Sequence, residues 1–422
     1  MKILWNSVGP WLPTGYGQQT AQVCRRLRDA DHDVAISAYA GLEGTVGEWE
    51  GMTVFPLDIT RFNKLYLREY VKRHSEDGTG DDVQVITLQD VWVWTDGSAR
   101  TGGRSADYEG LKMAAWCPVE YDPVPANTVH ALQAFKARPI AMSRFGEQQL
   151  RKAGLDPLYV PHGVDTAVMR PLPGAARQVR AALDVPADAF LVGMVSNNQG
   201  ITPPRKAFPE AFHAFSIFQQ RHPEAILYLH TDIHGRNDGL NLIGLWRTHG
   251  ISDSAVRWVN DEKFQVFYEI EPVHMAFMYS ALDVLLCPSY GEGFGIPIVE
   301  AQSCGTPVIV TDWSAMSELA GPAQWLCDGE PHYHPGSASW FKKPAISELV
   351  DRLERAYAAR GDRGLRDRCR EFALGYDADR VFEEHWVPTI DALGKRRTVP
   401  PLPTLNREQR RARIKAKQRE EA

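Results

Sequence analysis

The stretch Pro288-Ser-Tyr-Gly-Glu-Gly-Phe-Gly-Ile-Pro-Ile-Val-Glu300 places two glutamates, Glu292 and Glu300, on either side of a seven-residue spacer at a glycine-rich turn. The apolar run 284–287 before it predicts a buried parallel strand. Pro297 suits the first position of a helix, where its missing N–H would have no partner anyway. The stretch therefore predicts a strand, a loop and a helix, with Glu292 in the loop and Glu300 in the first turn of the helix.

A loop of this kind is suited to an anionic ligand. The first N–H groups of a helix have no partner within the helix, and they carry the positive end of its dipole. An ordinary turn with two solvated glutamates would not need three glycines around Phe294. We therefore expect this turn to bind a phosphate together with two sets of sugar hydroxyls.

Length and composition limit the class of protein. At 422 residues the chain is too long to fold around a single hydrophobic core, which predicts two domains of roughly 150–200 residues each. Its 44% hydrophobic and 24% charged residues are typical of a soluble globular protein. No run reaches the ~20 apolar residues of a membrane span, so we expect no span and a cytoplasmic location. The six cysteines show no paired metal-binding spacing and are expected to be buried free thiols.

The chain opens with a strand–helix–strand pattern. Residues 2–5 and 32–38 predict strands, and residues 18–28 have the apolar spacing of a helix. Gly15 and Gly17 lie at the turn between the first strand and this helix. Such a unit predicts a parallel sheet in this half of the chain.

A Pro- and Gly-rich cluster at 170–174 predicts a boundary between domains. Residues 190–195 then begin a second series of strand–helix units, which implies a parallel sheet covered by helices in each half. The sequence therefore predicts an α/β protein with two doubly wound domains, 1–170 and 171–380. Their carboxyl strand ends are expected to face a shared cleft.

The stretch 288–300 resembles the Glu-(seven residues)-Glu signature of retaining glycosyltransferases of family 4. The likeness includes the Pro-Ser before the loop and the Gly-Thr-Pro-Val-Ile run at 305–309. The resemblance implies the GT-B fold, in which two Rossmann-like domains face a central cleft. It also implies a helix at 381–394 that crosses back to the first domain, a nucleotide sugar as donor, and no cofactor or metal ion.

The resemblance also implies roles for the residues of the turn. The second glutamate of the signature, Glu300, would accept hydrogen bonds from the ribose hydroxyls. The first, Glu292, would lie beside the hydroxyls of the transferred sugar. The backbone N–H groups of Gly293, Phe294 and Gly295 would hold the sugar and the phosphate.

A first-domain loop is similar to the family's as well. Gly15 and Gly17 resemble the glycines that let the family's backbone approach the donor phosphate and the acceptor. Tyr16, which lies between them, would then line the acceptor side of the cleft.

Two adjacent cations, Arg205 and Lys206, follow the first strand of the second domain. An arginine fork and a lysine point charge together can neutralise a diphosphate. Lys206 matches the family's diphosphate-binding lysine. The family's Gly-Arg pair corresponds here to Ser196 and Asn197, a departure for which Arg205 would compensate.

An acidic group is expected in the first domain, where many family members have a histidine that faces the cleft. The corresponding segment 113–123 contains no histidine. Glu120, Asp122 and Asp90 are the candidates to replace it near the anomeric carbon or the acceptor. A structural or solvated carboxylate is an equally compatible reading of each.

The predicted activity is transfer of a sugar from a nucleotide sugar to a glycan, a lipid or a virion protein. The runs 10–17 and 228–232 resemble an actinobacterial and viral branch of family 4. Residues 395–422 carry ten basic and three acidic side chains, which favours a polyanionic partner, although a solvated tail also fits. One alternative is therefore glycosylation of hydroxymethylated bases in viral DNA. A sugar-nucleotide epimerase and a non-catalytic sugar-nucleotide-binding protein are the others.

Overall fold

Two β-sheets form the centres of the two halves of the chain. The computed structural model describes residues 1–59, 62–95, 108–200, 202–236, 238–259 and 271–395. Alternate residues of the central strands enter different cores: Ile3 and Trp5 pack on one side of the first sheet, and Leu4 packs on the other. This burial on both faces explains why the strands are near-continuous apolar runs.

The first sheet has eight strands in the order β3-β4-β2-β1-β5-β6-β7-β8, and they are parallel except for the β3–β4 pair. Its strands are β1 (Lys2–Val8), β2 (Asp33–Ala40), β3 (Gly47–Trp49), β4 (Met52–Phe55), β5 (Val83–Leu88), β6 (Lys112–Cys117), β7 (Arg138–Ala141) and β8 (Leu158–Tyr159). The helices between them are α1 (Gly15–Asp29), α2 (Leu67–His74), α3 (Ala126–Ala134) and α4 (Arg144–Lys152).

The second sheet has six parallel strands in the order β11-β10-β9-β12-β13-β14. They are β9 (Phe190–Val195), β10 (Ala225–His230), β11 (Val256–Trp258), β12 (Val284–Cys287), β13 (Val308–Thr311) and β14 (Trp325–Cys327). An antiparallel hairpin follows, made of β15 (Gly329–His334) and β16 (Ser339–Pro344).

Ten further α-helices follow in the described parts of the chain, which also contain three short 3-10 helices. They are α5 (Pro173–Ala182), α6 (Phe208–Arg221), α7 (Leu242–Thr248), α8 (Pro272–Ala281), α9 (Ile296–Ser303), α10 (Ala315–Leu319), α11 (Ile346–Ala358), α12 (Arg363–Leu374), α13 (Ala378–Val381) and α14 (Val387–Gly394). A π-helical turn, Phe382–Trp386, joins the last two. Across the described parts of the chain, every helix is too short or too polar to span a bilayer.

The π-helical turn brings a tryptophan against the first sheet. The ring of Trp386 lies 5.5 Å from that of Trp5 and 4.9 Å from that of Trp116, both edge to face. All three side chains are buried, so the last helical segment packs on the first half of the chain.

The predicted α/β class with two doubly wound parallel sheets is confirmed. The six cysteines are free and buried, as expected. The strands of the first sheet end at Tyr159 and those of the second begin at Phe190; the domain limits 1–170, 171–380 and 381–394 remain predictions. The basic tail 395–422 lies outside the described residues, apart from Lys395.

Candidate active site

A cleft of about 870 Å³ opens between the two sheets, at the carboxyl ends of their strands. Loops that follow β1, β5 and β6 line one wall, and loops that follow β9, β10 and β12 line the other. Ligands of doubly wound folds bind at this edge. The cleft brings together most of the predicted site residues, namely Gly15, Tyr16, Asp90, Glu120, Asn197, Arg205, Lys206, Glu292, Gly293, Phe294, Gly295 and Glu300.

The turn after β12 requires its glycines. A Cβ atom on Gly293 would lie 2.3 Å from Cβ of Pro118, so only glycine lets this loop approach the first domain. Gly295 has φ +106°, a left-handed conformation that favours glycine, and it caps α9. One prediction about this turn was wrong: Glu300 lies in the second turn of α9, because the helix begins at Ile296.

Glu300 has a partner that the sequence did not reveal. The hydroxyl of Tyr279, on α8, donates a hydrogen bond to Oε2 of Glu300 over 2.8 Å. Burial raises the pKa of Glu300 to about 7, and the bond from Tyr279 opposes this rise. The carboxyl group therefore changes its charge near neutral pH while facing the cleft.

Glu292 lies between two cations. Nζ of Lys206 is 2.5 Å from its Oε1, and Nη1 of Arg205 is 3.2 Å from its Oε2. Burial alone would raise the pKa of Glu292, but Lys206 and Arg205 outweigh burial and lower it to about 2. Glu292 is thus ionised at neutral pH, and it orients both cations at the mouth of the glycine turn.

Arg205 also reaches the first domain. Its Nη1 lies 2.9 Å from Oε2 of Glu120, which follows β6. Burial raises the pKa of Glu120 to about 7 and Arg205 opposes the rise, whereas the carboxylates of Glu292 and Asp90 add to it. A single guanidinium therefore connects acids from both walls of the cleft.

The three candidate acids of the first domain differ in whether they line the cleft. Asp90, like Glu120, lines the cleft, and burial raises its pKa. Asp122 does not line the cleft: its carboxylate accepts a hydrogen bond from Gln149 over 3.1 Å and lies 3.6 Å from Nζ of Lys152. The prediction that Asp122 lies on the acceptor side of the cleft was therefore wrong.

The first-domain glycines have different surroundings. Gly15 lines the cleft, and a Cβ atom there would lie 3.2 Å from Ile296 of the other wall. Gly17 is buried outside the lining, and its Cβ atom would overlap the carbonyl oxygen of Leu12 at 2.1 Å. Its N–H donates to the side chain of Thr14, which caps α1. Gly17 thus shapes the start of the helix, and a direct contact with a donor is not supported. The helix itself begins at Gly15 and not at residue 18.

Asn197 stands at the outer end of the second wall. Its side chain is exposed and donates a hydrogen bond to Gln199 over 3.1 Å. No described cation follows β9 directly, so Arg205 and Lys206 supply the positive charge of this wall.

His162 also lines the cleft, although it was not among the predicted site residues. It is 2% exposed and packs 4.3 Å from the ring of Trp116 and 5.1 Å from that of Phe294. Burial lowers its pKa to about 3, so the imidazole is neutral. Its place in a Pro-His-Gly run at the end of the first half was the available signal.

The hairpin β15–β16 holds the Glu120 segment from the second half of the chain. Asp122 and Trp340 exchange two backbone hydrogen bonds of 3.2 and 2.9 Å, and the rings of Tyr121 and Phe341 lie 4.4 Å apart. Nε1 of Trp313 donates to the carbonyl oxygen of Glu120 over 3.0 Å. This support across the cleft was not predicted from the sequence.

Within the ranges that the structure covers, no group of three or more His, Cys, Asp or Glu side chains is arranged to hold a metal ion. Independence from metal therefore remains a prediction from the family resemblance.

Comparison with protein families gives a match over a segment of the second half of the chain, which includes the glycine turn of the cleft. Residues 258–374 match the family described as glycosyl transferases group 1. A D-inositol 3-phosphate glycosyltransferase of Kineococcus radiotolerans is 31% identical over 243 residues, which is 57% of this chain and 51% of that protein. One of the same name from Saccharomonospora viridis is 33% identical over 150 residues, or 36% and 33% of the two chains. The chain spans about a third to a half of the length of these curated relatives.

Solved structures share the architecture over most of the chain. Sucrose-phosphate synthase from Thermosynechococcus elongatus has a TM-score of 0.67 at 19% identity, and covers 93% of this chain and 100% of its own. WaaG, a glycosyltransferase of lipopolysaccharide biosynthesis, has a TM-score of 0.63 at 12% identity over 94% and 100%. HepE from Anabaena, solved with UDP and glucose, has a TM-score of 0.60 at 14% identity over 93% and 100%. The expected GT-B fold is confirmed.

Proposed function

We propose that the protein is a retaining glycosyltransferase of the family 4 type, which moves a sugar from a nucleotide sugar to an acceptor hydroxyl. The observation that carries the proposal is the meeting of Lys206, Arg205 and Glu292 beside the glycine turn of the cleft. The match of residues 258–374 to glycosyl transferases group 1 supports glycosyl transfer as the reaction.

The two cations suit the leaving group. When the bond between the anomeric carbon and the diphosphate oxygen breaks, the electron pair goes to the diphosphate. Cations and N–H groups that are already oriented there stabilise this charge without reorganisation. Lys206 and Arg205 would provide the cations, and the amides of Gly293, Phe294 and Gly295 would provide the N–H groups at the start of α9.

Retention of configuration is proposed through attack on the face that the leaving group occupies. The acceptor oxygen would bond to the anomeric carbon as the bond to the diphosphate breaks, and the acceptor proton would pass to the leaving phosphate oxygen. Both carboxylate oxygens of Glu292 contact cations, which disfavours Glu292 as a nucleophile. This arrangement and the family resemblance together support the front-face route.

The donor is proposed to carry UDP. Its ribose hydroxyls would donate to Glu300, whose carboxylate Tyr279 orients from behind. The neighbour HepE was solved with UDP and with UDP-glucose, which supports UDP-glucose as the first donor to test.

The test is the release of UDP from UDP-glucose and the identity of the product. Lys206→Ala should lower kcat more than it raises KM, since the charge that Lys206 meets develops in the transition state. Lys152→Ala, an exposed lysine outside the cleft, is the matched control and should leave both constants unchanged. An effect of Lys206→Ala on KM alone would contradict the assigned role. An isomerised free sugar nucleotide as product would favour the epimerase, and an inverted anomer by NMR would exclude the front-face route.

A further inference from the structure

We propose that the first-domain wall of the cleft binds an uncharged, polyhydroxyl acceptor, and that Asp90 on this wall excludes acceptors with a phosphate near the reacting hydroxyl. This inference rests on the proposed function, because it names the acceptor class of the same site. It is carried by the charges that the two walls of the cleft present.

The first-domain wall is acidic. Of the described residues, Asp90 and Glu120 are the charged side chains that this half contributes to the cleft lining. They extend from neighbouring positions, since Asp90 follows β5, Glu120 follows β6, and these strands are paired. The wall therefore offers two carboxyl groups, which interact electrostatically, to a ligand that enters beside the donor.

The other polar groups of this wall are neutral. His162 is uncharged, because burial lowers its pKa to about 3. Burial likewise raises the pKa of Tyr16, so its hydroxyl stays protonated. Thr14 and Gln18 add a hydroxyl and an amide to the lining. The described part of this wall thus contains no positive charge to receive an anion.

The cations of the cleft belong to the opposite wall and are already engaged. Arg205 contacts Glu120 and Glu292, and Lys206 contacts Glu292. A bound donor diphosphate would compete for these same two cations. A second phosphate, on the acceptor, would therefore meet Asp90 on the first-domain wall, and the described lining of the cleft offers it no further lysine or arginine.

Charge and hydrogen bonding then separate two classes of acceptor. A phosphate carries about 1.5 to 2 negative charges at neutral pH, and like charges at close range in a cleft repel strongly. Sugar hydroxyls, by contrast, donate hydrogen bonds to carboxylates. The relatives are named for D-inositol 3-phosphate, an anionic acceptor. This chain differs from them in taking the phosphate-free form of a polyol or saccharide.

The experiment compares matched acceptors with UDP-glucose as donor. The acceptor pairs are inositol with D-inositol 3-phosphate, and glucose with glucose 6-phosphate; the readout is UDP release above the rate without acceptor. The rate of UDP release should be about tenfold or more higher with the neutral acceptor than with its phosphorylated form, because the phosphate is repelled by the like charge of the wall. Asp90→Asn should narrow this preference, and Asp90→Lys should narrow it further or reverse it. Asp81→Asn, an exposed acid before the opposite end of β5, should not change the preference.

The outcomes separate this inference from the proposed function. Absence of UDP binding and of UDP release would reject both. If UDP is released but phosphorylated acceptors are preferred, only the acceptor inference is overturned. The same holds if UDP is released but neither inositol nor glucose accelerates its release. A neutral preference that persists undiminished in Asp90→Lys would overturn the role of Asp90.

Discussion

Replacing Tyr279 with phenylalanine should make UDP binding strongly dependent on pH. The Tyr279 hydroxyl donates to Glu300 over 2.8 Å; Tyr279 is fully buried and Glu300 is 7% exposed. Phenylalanine keeps the ring and its packing, so the substitution removes one hydrogen bond and little else. Because that bond favours the ionised carboxylate, its loss raises the pKa of Glu300.

The size of the effect follows from the charge state of Glu300. Its pKa is about 7 with the bond present. A hydrogen bond to a charged group contributes roughly 1.5–3 kcal/mol, and about 1.4 kcal/mol changes a pKa by one, so the pKa in the variant should be about 8–9. At pH 7 the ionised fraction would fall from about one half to about 1–10%, and the apparent affinity falls with the competent fraction. UDP should therefore bind about 5–50-fold more weakly at pH 7, but at most about twofold more weakly at pH 9, where Glu300 is at least about half ionised in both proteins.

Calorimetric titration of wild type and variant with UDP at pH 7 and pH 9 measures this ratio. Taking the ratio of the two proteins at each pH removes the contribution of other titrating groups, which they share. Tyr290→Phe is the matched control, since that tyrosine is also buried and donates to a glutamate, Glu210, over 2.9 Å, but does not line the cleft. Equal affinity of Tyr279→Phe and wild type at pH 7, or an undiminished defect at pH 9, would refute the control of nucleotide binding by Glu300.

Two further predictions concern metal and the hairpin. Excess EDTA should leave UDP release unchanged, because Lys206 and Arg205 would neutralise the diphosphate without a divalent ion; a loss that added Mg²⁺ or Mn²⁺ restores would reject this prediction. Phe341→Ala should lower the melting temperature, because truncating a buried phenylalanine costs about 3–5 kcal/mol, and it should also slow UDP release by loosening the Glu120 segment. Tyr333→Ala, on the exposed face of the same hairpin, is the control, and an equal effect of both variants would contradict the role of Phe341.

Sequence reasoning succeeded where the determining interactions are local. The glycines around Phe294, the strand before them and the helix after them are neighbours in the chain, so their spacing alone predicts the turn. The paired cations Arg205 and Lys206 could be assigned to the cleft for the same reason, since they follow a strand. The error of one turn in the position of Glu300 arose at the helix boundary, which Pro297 marks only to within a residue.

The remaining features depend on contacts between distant segments. Tyr279 lies on α8 and donates its hydrogen bond to Glu300 on the next helix, α9. Nothing in the apolar spacing of α8 distinguishes Tyr279 from a core tyrosine. Glu120 and Asp122 are two residues apart and chemically similar, so the sequence left both open. The hairpin β15–β16, more than 200 residues later, pairs with Asp122 through the backbone of Trp340 and thereby fixes the segment. Only the folded chain could decide which acid faces the cleft.

Glu120 and Glu300 lie on opposite walls of the cleft, and the pKa of each is about 7. Donor binding should shift these two pKa values in opposite directions. Ribose hydroxyls that donate to Glu300 favour its ionised form, so binding there should release a proton and strengthen as the pH rises. A diphosphate that attracts Arg205 would weaken the contact that opposes the raised pKa of Glu120, and its own negative charge raises that pKa further. Glu120 should then take up a proton, and this contribution to binding should weaken as the pH rises. The two effects oppose each other in the wild type, so a flat pH profile for UDP affinity is compatible with both. Only a variant that changes one carboxyl group, as Tyr279→Phe does, can reveal them.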